Sequence, residues 1–442
     1  MRVSFFHKII LSVVGLLLLI CFQSKSFAEE TASIAGSTIY GEVKYDPELD
    51  KLFKQAMDKR ESGNLAGAVA DFQQILTRQP KAHRARLEMA VAYYKMARFQ
   101  DAIKEAEAVL DDPQLPPNVR VSILAFLSQV KADSQAAQVR NYWRFPVHFG
   151  YVYDNNVNAG PSSYVIDKLR FESKKYARQS DSGVDLEAGI DHTYQTGFRF
   201  ATIGGEANLL WQSGLFGYYR AYFKEQDHNF SVLTLRTGPT LVVMGSWRAN
   251  INFQYDYLRY DEDDLAHYYY IVPSLTLNIT DSLEVTTELE LNPRDFIKSI
   301  DERRDSFFIL GRVSAWYTAP KGNFAIHGGV EVFDENAEGE EYSNHGVGII
   351  AGGSWRIITN TDLFGSAERR FYNFEDPPPG FDEARDEDEW RLTAGIAYTF
   401  ENMGFLSKWK AEAKVVYTDL DSNLDLYSYD RTETLFILSK TF

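Results

Sequence analysis

From Asn141 to the end of the chain, apolar and polar residues alternate one by one, and this period of two constrains the fold more than any other feature. Trp409, Ala411, Ala413, Val415 and Tyr417 share one side of such a segment, with Lys410, Glu412, Lys414 and Thr418 on the other. Trp390, Leu392, Ala394, Ile396, Tyr398 and Phe400 alternate with Arg391, Thr393, Gly395, Ala397 and Thr399. Phe324, Ile326, Gly328, Val330 and Val332 repeat the pattern. Side chains of a strand point to opposite faces in turn, so each segment is a β-strand with one apolar face. The segments run to about ten to fourteen residues, which suits a tilted membrane crossing of ~9–11 residues plus its rims.

Beyond the N-terminus no stretch reaches ~18 uninterrupted apolar residues. If the chain spans a membrane, it must do so as a closed barrel, because lipid offers no partner to an open sheet edge. Aromatic content is 14%, with 26 Tyr and 30 Phe, and barrels use such rings as girdles at the two interfaces. Tyr257, Tyr260, Tyr268, Tyr270, Trp316, Tyr317, Phe371 and Tyr372 crowd the ends of segments. Short turns such as 319–322 and 359–361 alternate with acidic stretches at 261–264, 334–341 and 375–389. The formal charge of −16 repels nucleic acid, which excludes that partner class. The acidic stretches read as solvated loops or, more sharply, as a site for cations or a basic partner.

Strand starts fall near 144, 181, 198, 215, 229, 247, 266, 283, 304, 322, 343, 361, 387, 407 and 430. That total is odd, whereas single-chain bacterial barrels have even numbers; assigning 144–153 to a linker leaves about fourteen strands, and a strand hidden in 164–172 would make about sixteen. Fourteen is the expectation adopted.

The first residues read as a signal peptide: Arg2, His7 and Lys8, an apolar run from Ile9 to Phe22, then Ser26-Phe27-Ala28 as a cleavage site after Ala28. The only cysteine is Cys21, preceded by Ile20, which disfavours lipidation there. Residues 29–44 read as a linker.

Residues 45–140 carry a different period. Gly63 matches Ala97, Leu65 matches Phe99, Ala68 matches Ala102, Ile75 matches Val109 and Leu76 matches Leu110, at the tetratricopeptide spacing of about 34 residues. Each window reads as helix, turn, helix. Ala68, Phe72 and Pro80 in the first unit and Tyr93, Ala102 and Pro113 in the second resemble the tetratricopeptide signature, with Ala106 standing where Phe72 does. Val119 to Val139 reads as a capping helix with Val121, Leu124, Leu127 and Val130 near helical spacing. The fold class is therefore α + β multidomain: a short tetratricopeptide-like helical domain at 45–140, then a transmembrane antiparallel β-barrel at 141–442.

No hydrolase elbow, paired cysteine ligands or His-Glu-x-x-His is present, so no catalytic residue, metal ligand or cofactor is assigned and the chain is not read as an enzyme. His345, beside Ser343 and Asn344, reads as a surface residue. Glu284, Glu288 and Glu290 on one segment, and Glu368 and Arg370 on another, read as lumen charges.

The junction Phe149-Gly150-Tyr151-Val152-Tyr153-Asp154-Asn155-Asn156-Val157-Asn158-Ala159-Gly160-Pro161 follows the helical repeats directly. The order of parts and this junction resemble the surface lipoprotein assembly modulator family. The resemblance implies a periplasmic repeat domain, a barrel in the outer membrane, and delivery of a protein cargo across that membrane: a surface lipoprotein or a secreted haem- or metal-binding protein. It makes Asp154, Asn155, Asn156 and Asn158 candidate cargo or gating contacts at the barrel rim, with Tyr93 a candidate contact in the repeats. Asn and Asp also suit a plain turn. The last strand ends on Phe442, with Leu438 and Phe436 on the same face and Lys440 breaking it, which resembles the signal that barrel-assembly machinery reads. Outer-membrane lipid, protein cargo and that machinery are the expected partners. The rival reading is a porin for exopolysaccharide export or solute passage with an accessory repeat domain.

Overall fold

A computed structural model describes residues 47–112, 115, 117–136, 140–161, 165–166, 169–170, 177–203, 205–298 and 301–442. The expected signal peptide and linker lie outside the described residues. Among those described, five helices come first: α1 (Pro47–Glu61), α2 (Leu65–Arg78), α3 (His83–Lys95), α4 (Phe99–Leu110) and α5 (Pro117–Ala136). α1–α2 and α3–α4 are the two repeat units.

The matched positions of the repeats are matched in space. Gly63 and Ala97 occupy the two intra-repeat turns with φ of 80° and 54°, left-handed backbone in both. Ala68 and Ala102 are fully buried, which lets the paired helices approach closely. Phe72 fills the first unit and contacts Phe53 at a ring separation of 5.8 Å. Its counterpart Ala106 is small, and Ile123 and Leu127 of α5 pack with it, Val109 and Leu115 in a second core. The exchange of Phe for Ala is thus compensated from outside the repeat. α5 closes the stack with Ile123, Leu127 and Val130 inward, while Val121 and Leu124 face solvent.

The strands are β1 (Asn141–Arg144 and Pro146–Asp154), β2 (Asp181–Thr202), β3 (Gly205–Tyr222), β4 (Phe230–Val243), β5 (Trp247–Tyr260), β6 (Asp263–Asn278) and β7 (Leu283–Phe296). They continue as β8 (Ser306–Thr318), β9 (Phe324–Ala337), β10 (Asn344–Ile358), β11 (Thr361–Phe374), β12 (Asp386–Thr399), β13 (Lys410–Ser422) and β14 (Tyr429–Thr441). Both segments of β1 pair with β2 in continuous register around Phe145, so they form one strand and the sheet has fourteen. Every strand is antiparallel to its sequence neighbour, and β14 pairs back onto β1 from Glu433↔Asp154 to Thr441↔Pro146, which closes the barrel.

Two expectations about the strands are corrected. Residues 144–153 are not a linker but the strand that closes the barrel. Residues 181–222 hold two strands of 22 and 18 residues, not three. The starts placed near 198 and 215 fall inside them, because Gly197 and Gly214 interrupt the pattern without ending the ladder. The total of fourteen stands, on different members. Within 164–172, the described residues Val165–Ile166 and Leu169–Arg170 pair only with each other.

Alternation decides the two faces. Leu186, Ile190, Leu215, Leu233, Leu235, Ile271, Val330, Ile349 and Leu392 point outward and are exposed. Their neighbours in sequence point inward and are largely polar or charged. An apolar exterior over a charged interior inverts a soluble protein, and closure leaves no unpaired edge, so this is an outer-membrane-type barrel. Tyr255 and Tyr257 stack on His267 with ring separations of 5.7 Å and 5.5 Å, part of an aromatic girdle on the outer face.

Connections at one end are short at 244–246, 319–323 and 359–360, with 400–409 a longer one. At the other end the described connections include 155–161, 177–180, 301–305, 338–343 and 375–385. The helical domain sits at the turn end, where Lys95 Nζ is 3.3 Å from Asp281 of the β6–β7 turn. The acidic stretches cluster at the loop end, but 261–264 is no long loop. Asp261 and Glu262 form a tight turn, both in left-handed backbone, and Asp263 already starts β6.

Candidate functional site

The junction motif lies at the loop end of the closing seam. β1 ends on Asp154, whose fully buried carboxylate faces the last strand. Arg431 of β14 donates to Asp154 Oδ2 from Nη2 at 2.5 Å and from Nε at 3.0 Å. Tyr222 of β3 donates its hydroxyl to the same oxygen at 2.8 Å. The other oxygen, Oδ1, accepts from the backbone of Asn156 at 2.9 Å. Asn155 continues the strand pairing by exchange with Thr432: its backbone N–H donates to the Thr432 carbonyl at 3.2 Å, and its Oδ1 accepts from the Thr432 N–H at 2.7 Å.

Asn156 is also fully buried. Its Nδ2 donates to the carbonyls of Asp430 at 2.8 Å and Gly160 at 3.0 Å, while Oδ1 accepts from the Gly160 N–H at 2.8 Å. Asn158 ties the motif to the far side of the loop. Its Nδ2 donates to the Ala177 carbonyl at 2.8 Å and its Oδ1 accepts from Gln179 N–H at 3.0 Å. Arg178 then binds the Asn155 carbonyl and Asp430. The four candidate residues are brought together at the rim, as a clamp between first strand, last strand and first loop.

Below the clamp a charge network crosses the lumen wall. Arg220 of β3 grips Asp185 of β2 through two hydrogen bonds of 2.7 Å and 2.9 Å and reaches Glu433 of β14 at 2.5 Å. The opposite wall carries a second network. Glu331 of β9, with no exposed side-chain surface, accepts from Arg312 of β8 at 2.8 Å and from Arg370 of β11 at 2.7 Å. Arg312 also reaches Glu288 of β7 at 3.1 Å. Gly348 makes room for it, since a β-carbon there would lie 2.7 Å from Glu331. Glu288 and Arg370 thus join a single network, while Glu284 pairs separately with Arg248 at the turn end. Two lumen cavities of about 490 Å³ and 430 Å³ lie against these walls.

Tyr93 stands apart from this site. It lies in the core of the helical domain with Arg98 stacked over its ring at 4.6 Å, and burial pushes its hydroxyl above its ordinary value. Its position leaves little surface for a cargo contact. Phe436 and Leu438 point outward on β14, and Lys440 shares their face as the alternation requires. Its ammonium lies over the rings of Phe442 at 4.7 Å and Trp409 at 5.7 Å, at the turn-end interface. A lysine there keeps its stem in the apolar layer and its head among amphipathic rings, so it does not interrupt the lipid face.

Sequence reasoning missed Arg431, Tyr222, Arg220 and Asp185, the partners that turn the motif into a clamp. They lie on three strands, β2, β3 and β14, and nothing in their local sequence marks the register that brings them together.

Residues 59–121 match the tetratricopeptide repeat family. No curated protein sequence matches the chain. Among solved structures the chain is similar to OmpT, an outer membrane protein of Vibrio cholerae, at 11% identity, covering 69% of this chain and 100% of that one with a TM-score of 0.38. It is similar to OpdL of Pseudomonas aeruginosa at 11% identity, covering 68% and 98% with a TM-score of 0.34. For OprD of Pseudomonas aeruginosa the identity is 8%, covering 68% and 95% with a TM-score of 0.34.

Proposed function

We propose that this chain is a non-enzymatic outer-membrane translocator, with its helical domain in the periplasm handing a protein cargo to the barrel. The observation that carries the reading is the join between the two parts. The last helix ends at Ala136 and β1, half of the closing seam, begins at Asn141. A cargo held by the repeats is therefore tethered to the one strand whose release would open the barrel sideways. Tetratricopeptide-type helices are peptide-binding scaffolds, and they face an opening here. A cleft of about 1230 Å³ separates Met96, Arg98 and Phe99 from Phe198, Arg199 and Met244 of the barrel's turn end. The β2–β3 hairpin extends into it past the register of its outer neighbours β1 and β4. In this reading the clamp at Asp154–Asn156 and the Arg220 network hold the seam closed until cargo arrives. No nucleotide motif is present, so folding of the cargo outside, or other machinery, supplies the driving force.

Residues Phe149 and Leu438 are register partners across the seam. A Phe149→Cys/Leu438→Cys pair, oxidised, holds the seam closed, and the only native cysteine, Cys21, lies far upstream. Cargo display that stops on oxidation and returns on reduction supports seam opening. Deleting residues 45–140 is expected to leave the barrel inserted and abolish display, and display that survives the deletion refutes delivery by the repeats.

The rival reading, a saccharide or solute porin, is favoured by one observation: Tyr218, Tyr222, Tyr268, Tyr270, Tyr372 and Tyr429 all stand on the inward register of their strands. A large steady conductance of the purified chain in a planar bilayer supports that rival, and a closed or flickering barrel supports the translocator.

A further inference from the structure

The cavity of about 430 Å³ beside the seam differs in charge from the rest of the molecule. Its walls carry four cations, Arg220, Arg391, Lys414 and Arg431, and one carboxylate, Glu433, in a chain of net charge −16. Arg220 and Arg431 are held by Asp185, Glu433 and Asp154. The other two are not. Arg391 is exposed to the lumen, and its guanidinium makes no ion pair or hydrogen bond among the described residues. Glu368, its register partner on β11, does not engage it. Lys414 has only a long contact of 3.7 Å to Glu412, which Lys410 already holds at 2.8 Å. Facing these cations are Tyr218, Tyr222 and Tyr260.

An unpaired guanidinium offers the fork geometry that recognises a carboxylate. Aromatic walls with hydroxyl tips suit a ligand that is apolar on its faces and polar at its edges. We infer that this cavity is a binding site for a carboxylate-bearing sugar, with Arg391 on the carboxylate, Lys414 farther along the cavity wall and the tyrosines along the ring. This is a solute site that the cargo reading does not include, and it stands or falls separately.

The test is titration calorimetry of the full chain purified in detergent, which needs neither cargo nor an open channel. The probes are glucuronate, glucose, inorganic phosphate and tetra-aspartate. Saturable glucuronate binding is expected, with glucose at least about tenfold weaker because it lacks the charge-assisted bonds. Arg391→Gln/Lys414→Gln weakens glucuronate by about tenfold or more, while Arg248→Gln at the turn end leaves it unchanged. Absence of glucuronate binding overturns the inference, as does equal binding of glucose. Phosphate or tetra-aspartate binding as tightly as glucuronate also overturns it, by showing a bare anion site or a peptide site. The comparison of probes on the unmodified chain decides the matter even where the double variant does not fold.

Discussion

Asp154 and Arg431 are joined across the closing seam of the barrel, on strands whose ends are separated by nearly the whole length of the domain in sequence, with Nη2 to Oδ2 at 2.5 Å and the carboxylate fully buried. Breaking one partner of such a pair leaves an uncompensated charge, which costs about 3–5 kcal/mol where burial is complete. The seam is the one place where the barrel is closed by residues distant in sequence, so its weakening has a functional reading as well as a structural one.

Asp154→Ala is expected to lower the stability of the folded barrel by about 3 kcal/mol and to raise its conductance, because Arg431 and Tyr222 lose their shared acceptor. The heat-modifiable gel mobility of the barrel reads the first effect and a planar bilayer the second. Unchanged melting and unchanged conductance together would remove the clamp from the account.

Glu331→Gln is expected to destabilise the barrel by a similar amount, about 3 kcal/mol, since Arg312 and Arg370 converge on one buried carboxylate. The effect should be seen in thermal unfolding without a rise in seam-dependent leakage, because this network lies on β8, β9 and β11. A leak equal to that of Asp154→Ala would argue against separate roles for the two walls.

Ala97→Gly is expected to stabilise the helical domain by about 1 kcal/mol, because an L-residue pays about that much to hold left-handed backbone and glycine does not. Gly63 already occupies the same turn of the preceding repeat, with φ of 80°. Loss of helical far-UV signal on heating of the full chain should shift upward for the variant. A downward shift would mean that the Ala97 side chain makes a contact worth more than the strain.

The Tyr94 hydroxyl donates to Asp133 at 2.5 Å, which joins α3 to α5. This bond holds the Asp133 carboxyl below its ordinary 3.8, with a further bond from Gln129 in the same direction. A depressed carboxylate contributes stability that is present above the ordinary value and lost as pH falls through the folded one. Acidification below pH 3.8 should therefore loosen α5 in the native chain, and Tyr94→Phe should show a weaker pH dependence over that window. Hydrogen exchange of α5 amides as a function of pH measures both, and identical profiles would exclude the contact as the cause.

The period of two was enough to read most of the strands, their two faces and a barrel from the chain alone. Side chains on a strand alternate by covalent geometry, and a lipid exterior forces every second residue to be apolar, so that information is local. The tetratricopeptide spacing was legible for the same reason, since Gly63 and Ala97 mark equivalent turns wherever the repeats are placed. The limits of local reading show at 144–153, where a strand resembled a linker, and at 181–222, where two long strands resembled three. Hydrogen-bond register, not composition, decides where a strand ends.

The Asp154–Asn158 motif was visible as a turn and as a resemblance, but its work depends on Arg431, Tyr222, Asp430 and Arg178. The sequence by itself determined that this chain alternates, closes and carries a short helical array. Only the tertiary structure decided which strand meets the last one, and therefore which charges are paired and that Arg391 makes no ion pair or hydrogen bond among the described residues. The physical reason is that alternation is set within a strand, whereas register is set between strands by the sum of many weak contacts around the whole barrel.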